Sequence, residues 1–259
     1  MSKTLLKSER LKAIMSSLNT YGSITVQSFA KKLQVTPETI RRDLETLENQ
    51  NKLKRVYGGA ILNDDNIPES DARTRQSKNI NKKKDLASIV SDFVKESAFI
   101  ALDDSTTNIE VAKVLSTKFN NLTCITNSFS IAKIFANNPN FKILVPSGRL
   151  DNKDLYTYGL TAIKFIKMYH PDIFFMSASG ISLENGIMDY GFDQFDIKIA
   201  MKESSSKTFC VVDNTKFGQT ATIRVCDFKD VDGIITDSNL DKKWIEKLTE
   251  MDVNLFYPQ

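Results

Sequence analysis

One histidine and three cysteines are all that 259 residues offer as soft metal ligands. His170 alone cannot build a His-rich site. Cys124, Cys210 and Cys226 are widely separated and form no C-x-x-C pair, so no zinc pattern is present, and neither a metal nor another cofactor is expected. An odd number of scattered cysteines also argues against a disulfide framework. Cys124 and Cys210 lie in apolar, strand-like runs and are expected as buried thiols in a reducing compartment. No apolar run approaches the roughly 20 residues that a bilayer crossing needs. Met1 to Arg10 is polar and lacks the apolar centre of a signal peptide, so the expectation is a cytoplasmic chain. Glycine is scarce, with ten in all, which leaves few places where backbone can approach a ligand closely or take positive φ. With 41% hydrophobic and 26% charged residues the chain has material for a sizeable core, and its length suggests two domains.

Charge is unevenly spread. Residues 1–60 carry eleven Lys/Arg against five Asp/Glu, whereas the remainder carries 24 against 27. A basic head on a mildly acidic body fits a nucleic-acid-binding unit joined to something else. Within the head, Leu11, Ile14, Met15 and Leu18 mark one amphipathic helix, and Val26, Phe29, Ala30 and Leu33 a shorter one. Gln34-Val35 makes a tight turn. Thr36 is a good N-cap, and Pro37 falls at the first helical position, where its missing N–H costs nothing. Ile40, Leu44 and Leu47 then form an apolar stripe that leaves Glu38, Arg41, Arg42 and Glu45 on other faces. Asn51 is expected to close this third helix. The run Leu53 to Ile61 looks like a short hairpin with a basic arm. Three helices and such a wing make a winged helix-turn-helix. Thr36, Glu38, Thr39 and Arg42 are its candidates to approach base edges, and Arg41, Lys54, Arg55 and Tyr57 its candidates for phosphates or the neighbouring groove.

Residues 63–82 are polar and broken by Pro68, which suits a linker. Arg73, Arg75, Lys78, Lys82, Lys83 and Lys84 form a basic stretch leading into a helix near 80–95. Strand and helix signals then alternate. Strands are expected at 98–102, 122–126, 141–145, 173–177, 209–213, 233–236 and 253–257, with helices between most of them. This predicts a mostly parallel, Rossmann-like sheet covered by helices on both faces. The whole chain thus reads as α/β, with a winged helix-turn-helix at 1–62, a linker at 63–82 and an α/β domain at 83–259.

Polar turns fall at the carboxyl ends of these strands, the edge where open α/β sheets bind ligands. They are Asp103-Asp104-Ser105-Thr106-Thr107, Thr126-Asn127-Ser128, Ser147-Gly148-Arg149, Ser177-Ala178-Ser179-Gly180 and Asp213-Asn214-Thr215-Lys216. Several open helices, so backbone N–H groups and hydroxyls could hold a phosphate there.

Arg10, the run Thr39 to Leu44 and the run Arg55-Val56-Tyr57-Gly58-Gly59-Ala60 occur in the order found in the DeoR family of bacterial sugar-metabolism regulators, which the head resembles. The body resembles the family's sensor domain, itself similar to sugar-phosphate isomerases of the ribose-5-phosphate type. The matching stretches are Leu102 to Thr107, Thr126 to Ser128, Ser147-Gly148, Ser177 to Gly180, Asp196-Ile197-Lys198 and Asp213 to Gly218. The resemblance implies a repressor of a sugar-metabolism operon, bound to operator DNA as a homodimer or homotetramer and released by a phosphorylated sugar. The first three turns would cradle the sugar phosphate, and Lys198 would offer it a positive charge. Lys83 matches a lysine common in the family. Ser105 and Ser147 stand where the family has glycine, which adds hydroxyls and narrows the space. Two other readings remain open. One is an isomerase-like enzyme using Asp103, Asp104, Asp213, Lys198 and Lys216, although no motif fixes an acid and a base together. The other is a winged-helix module that binds protein.

Overall fold

The computed structural model describes residues 6–21, 23–50, 52–56, 58–62 and 72–258. Asn51 and Tyr57 lie outside the described residues, as do residues 63–71 of the expected linker and the side chain of Arg73. The chain divides into two compact units, residues 1–70 with 220–222 and residues 71–219 with 223–259.

The head runs α1 (Lys7–Tyr21), β1 (Ser23–Thr25), α2 (Val26–Leu33), α3 (Pro37–Glu48), β2 (Leu53–Val56) and β3 (Gly59–Leu62). Its core joins Ile14 and Leu18 to Phe29, Ala30, Ile40, Leu44 and Leu47, with Leu53 and Ala60 from the wing. The spacing rule placed these stripes correctly. Gln34 takes the left-handed conformation (φ 54°) that the tight turn needs. α3 ends at Glu48, earlier than expected. Asn49 caps it in a right-handed conformation, and the N–H groups of Gln50 and Lys52 both turn back to the Leu47 carbonyl. The wing is also larger than a hairpin, because β1 pairs with β3 to give the antiparallel order β1-β3-β2. Glycine permits that approach: a Cβ on Gly59 would lie 2.0 Å from the Ile24 carbonyl oxygen.

The body holds α4 (Ala72–Ser77), α5 (Ile80–Asp92), β4 (Phe99–Leu102), α6 (Thr106–Lys118), β5 (Thr123–Thr126), α7 (Phe129–Phe135), β6 (Lys142–Leu144), β7 (Arg149–Leu150), β8 (Thr157–Tyr158), α8 (Leu160–Ile166), β9 (Ile173–Ser177), β10 (Gly180–Ser182), β11 (Gly186–Asp189), α9 (Phe192–Ser204), β12 (Lys207–Val211), β13 (Ile223–Cys226), β14 (Gly233–Ile235), α10 (Lys242–Glu250) and β15 (Leu255–Phe256). The main sheet is seven-stranded, in the order β15-β14-β12-β9-β4-β5-β6, and each neighbouring pair is parallel. Alternation along each strand sorts residues to two cores. Ile100, Leu102, Phe175, Phe209 and Val211 pack with α5, α6 and α7. Ala101, Phe174, Met176 and Cys210 pack with α8, α9 and α10. All three cysteines are buried and free.

Two features depart from the sequence reading. The expected linker is too long, since its described part is helical from Ala72. That segment is held by an Arg75–Asp154 ion pair and by Lys83, whose ammonium donates to the Arg75 carbonyl. A small antiparallel sheet, β10-β11-β13, and the β7-β8 pair were also not expected; these segments lack the sustained apolar runs that mark the main-sheet strands.

The chain runs from β4 outward through β5 and β6, then returns to β4's other side with β9. The order therefore reverses between β4 and β9, and the crevice at their carboxyl ends is where such sheets take ligands.

One pair ties the head together. Arg10 donates from Nε to Asp43 Oδ2 (2.7 Å) and from Nη2 to Oδ1 (3.1 Å), linking α1 to α3, and Asp43 is 2% exposed. Asp43→Ala leaves the guanidinium without this carboxylate and should destabilise the head by about 3 kcal/mol. The check is urea unfolding of the full chain. The far-UV signal should gain an early transition, while fluorescence of Trp244, which packs in the body's core, keeps its midpoint. Coincident, unshifted transitions would refute it.

Candidate nucleic-acid interface and candidate ligand pocket

The start of α3 is built as the sequence demands. The Thr36 hydroxyl accepts from the Thr39 N–H (3.2 Å) and touches the Thr39 hydroxyl (2.9 Å), with Pro37 next in the helix. Asp43 turns inward to Arg10. Arg41 and Arg42 turn outward, with side chains 60% and 77% exposed. Glu38 lies 3.2 Å from Arg41 and 3.7 Å from Arg42, pairs too exposed to hold either arginine firmly. Thr36, Glu38, Thr39 and Arg42 line one open depression of about 370 Å3 with Lys7 and Arg10. The four residues expected to approach bases are thus brought together. In the wing, Lys54 is exposed, while Arg55 is engaged with Glu48: its N–H donates to Oε1 (2.8 Å) and its Nε to Oε2 (2.6 Å). That contact fixes β2 on the end of α3 and lowers the Glu48 pKa, through the backbone bond first and the side-chain bond second.

In the body, Asp103 closes β4 and is fully buried. Its Oδ1 accepts from the Ser105 N–H (3.1 Å) and from Asn108 Nδ2 (2.8 Å). Its Oδ2 accepts from the N–H (2.7 Å) and hydroxyl (2.8 Å) of Ser177, at the end of β9. Lys198, on α9, is 3% exposed. Its ammonium donates to the carbonyl (2.8 Å) and hydroxyl (2.9 Å) of Ser177 and to Asp189, and lies 3.3 Å from Asp103. Burial alone would lower its pKa, but Asp103 and Asp189 outweigh that and raise it. Ser179 donates to Asp189 (2.6 Å), and Gly180 sits in the β10 pairing beside it. This lysine, expected to face a ligand, is thus already matched by two carboxylates.

The other turns serve first as caps. Ser105 has φ −67°, which any residue can adopt, and its hydroxyl caps α6 by accepting from the Asn108 N–H (3.1 Å). Ser128 caps α7 in the same way, and Thr126 accepts from the Ser128 N–H. Thr107 is buried. Gly148 and Arg149 are exposed on the β7 arm, where the Arg149 guanidinium lies 5.7 Å from the Tyr158 ring centre. A side chain on Gly148 would strike the Tyr158 carbonyl at 2.4 Å, so the one glycine kept in that turn is required by the strand pairing.

A basic end forms around the start of α5. Lys83 is buried, donates to Thr106 (2.9 Å) and has its pKa pushed down to about 8, chiefly by burial, with Asp213 opposing and Lys216 and Arg75 adding to the shift. Lys216 is also lowered, by burial first. Asn79 donates to Asp213 (3.4 Å) and Thr215 (3.2 Å), and Lys82 donates to Asn214 (2.6 Å), which seats α5 over the 213–216 turn. Arg75, Asp189 and Gln194 were not singled out for this site. A buried lysine signals that a carboxylate such as Asp189 must exist, but not where.

Residues 78–238 match the family described as the DeoR C terminal sensor domain, and residues 10–66 match the DeoR-like helix-turn-helix domain. The chain belongs to the DeoR family. A Bacillus subtilis relative, the uncharacterized HTH-type transcriptional regulator YulB, is 34% identical, covering 97% of this chain and 96% of that one. The glycerol-3-phosphate regulon repressor of Escherichia coli is 27% identical over 96% and 98% of the two chains. Among solved structures, the ribose 5-phosphate isomerase of Plasmodium falciparum is 16% identical, with a TM-score of 0.36 over 58% of this chain and 53% of that one.

In this DeoR-family chain, Lys83, with its pKa lowered to about 8, begins to lose its charge just above neutral pH. An anion beside it favours the protonated form, so binding takes up a proton once free Lys83 has begun to lose its own. Affinity for a phosphate monoester should therefore fall as pH rises from about 7.5 to about 9.5. Lys83→Arg, charged throughout, should bind with a shallower pH profile. Calorimetric titration across that range is the check, and a profile identical for both proteins would refute the assignment.

Proposed function

We propose that this DeoR-family chain is a cytoplasmic, ligand-responsive transcriptional repressor. The head reads double-stranded operator DNA, and the body binds a phosphorylated sugar that releases it. The observation that carries the first part is the start of α3, where Asp43 is turned inward and Arg41 and Arg42 are left in solvent beside Thr36, Glu38 and Thr39. On this reading Arg42 and its neighbours approach base edges, while Arg41, Lys54, Arg55 and Tyr57 serve the phosphates. Two half-sites call for a dimer or a tetramer. Relatives that carry repressor names, such as the Escherichia coli protein above, support the direction of regulation.

For the body, the reading is a sensor that binds and does not turn over its ligand. The phosphate would sit among Thr106, Thr107, Lys83 and Lys216, near the turns of Ser105, Thr126 to Ser128, and Asp213. Of the five groups that an isomerase was expected to draw on, Asp103 and Lys198 hold one another and Asp189. The effector would act by favouring an arrangement of the two heads that mismatches the operator, and only by its difference in affinity for the two arrangements.

Arg42→Ala should weaken operator binding by about 1–3 kcal/mol and relax sequence preference, without altering effector binding. Fluorescence anisotropy with the chain's own upstream DNA at fixed salt measures this. Unchanged affinity would count against the α3 assignment. Incubation with excess sugar phosphate separates sensor from isomerase, because only an enzyme converts more than its own molar amount.

A further inference from the structure

Asp104 differs from the carboxylates around it. Asp103 and Asp189 face Lys198, but among the described residues no ion pair engages Asp104. Its partners are two neutral amides: Asn127 Nδ2 at 3.4 Å from Oδ1 and Gln194 Nε2 at 3.0 Å from Oδ2. Burial, and then the Asp103 charge, push its pKa up to about 6 against the more distant attraction of Lys198, so at neutral pH it is an anion with no cation in direct contact. Asn127 is fully buried and Thr157 is 5% exposed. The Asn127 amide nitrogen is engaged with Asp104 and with the Thr157 carbonyl (3.2 Å), while Asn127 Oδ1 and Thr157 Oγ1 have no hydrogen-bond partner. A carboxylate, an amide oxygen and a hydroxyl therefore gather at the ends of β4 and β5 and on β8, and the set is dominated by acceptors. Buried polar groups are rarely left unpaired.

Asp104 lies two residues before Thr106, which Lys83 already contacts. A phosphate held at Thr106 and Lys83, as proposed above, would lie two residues along the same turn from Asp104. We propose that Asp104, with Asn127 and Thr157, determines specificity by selecting an effector whose non-phosphate end presents hydrogen-bond donors, either sugar hydroxyls or an ammonium group, and by rejecting a carboxylate there. This rests on the sugar-phosphate reading above and deepens it.

The test is calorimetric titration of the full chain with inorganic phosphate, glycerol 3-phosphate, glucose 6-phosphate, glucosamine 6-phosphate and 6-phosphogluconate. The wild type should bind at least one hydroxylated or amino compound more tightly than inorganic phosphate, and 6-phosphogluconate least among the sugars. Asp104→Asn should weaken the favoured compound about tenfold or more, leave inorganic phosphate unchanged and narrow the discrimination against 6-phosphogluconate. A larger loss for glucosamine 6-phosphate than for glucose 6-phosphate identifies the ammonium as the preferred donor; equal losses identify the hydroxyls. Thr157→Val removes a hydroxyl with no protein partner, so it should fold normally and still weaken the favoured sugar. It decides the matter if Asp104→Asn does not fold. Wild-type binding of sugars no tighter than phosphate, or normal sugar binding by both variants, overturns this inference alone. Failure of the wild type to bind any phosphate compound overturns the sugar-phosphate reading and this inference with it.

Discussion

The body is organised around one buried ammonium. Lys198 lies in a place that water barely reaches, where an unpaired charge would be too costly to hold. Asp103 and Asp189 make it tolerable, and each comes from a different part of the fold: Asp103 from the end of β4, Asp189 from the end of β11. Ser177, at the end of β9, bridges them by donating to Asp103 and accepting from Lys198. The crevice at the sheet's switch point is therefore closed below by a network whose members depend on one another. A buried pair of this kind is weak evidence for net stability, since an apolar replacement can do as well. Removing a single member, however, leaves a buried charge uncompensated. What the network supplies is position, because it fixes the ends of β4 and β9 and hence the turns above them.

That arrangement divides the charges of the site into those matched within the protein and those left over. Lys198, Asp103 and Asp189 together carry one excess negative charge, and Asp104 adds another. At the other end, Lys83 and Lys216 share a neighbourhood with Asp213 and Arg75, and both have lowered pKa values because burial disfavours their charge. A molecule with an anionic group at one end and hydrogen-bond donors at the other would relieve both imbalances.

Legibility in the sequence followed how local the cause of each feature is. The stripe Ile40, Leu44 and Leu47, the Thr36 cap and the Pro37 start were readable because helix periodicity and capping are local. The seven strands of the main sheet were readable as apolar runs, since parallel strands covered on both faces need little else. The end of α3 was misjudged because Asn49 can stay right-handed while the chain turns back onto Leu47, a choice made by packing. β1 was missed because Ser23–Thr25 is no apolar run and is made a strand by its pairing with the distant β3. The segment after Ala72 looked like a linker because its polar residues were counted as solvated, when Arg75 and Lys83 are in fact anchored to the body.

The candidate site divides along the same line. Its turns were visible because hydroxyls, amides and carboxylates cluster after apolar runs. Their roles were not, because role depends on which lone pairs remain after folding. Asp103 and Asp104 are adjacent and identical in sequence, yet one accepts four hydrogen bonds and faces an ammonium while the other accepts two from neutral amides. Strand geometry makes the difference. The last residue to follow β4 directly is drawn to the neighbouring end of β9, and the next is carried past it toward β5 and α9. Composition gives the inventory of polar groups at the edge of such a sheet, and only the order of its strands decides which of them stay available to a ligand.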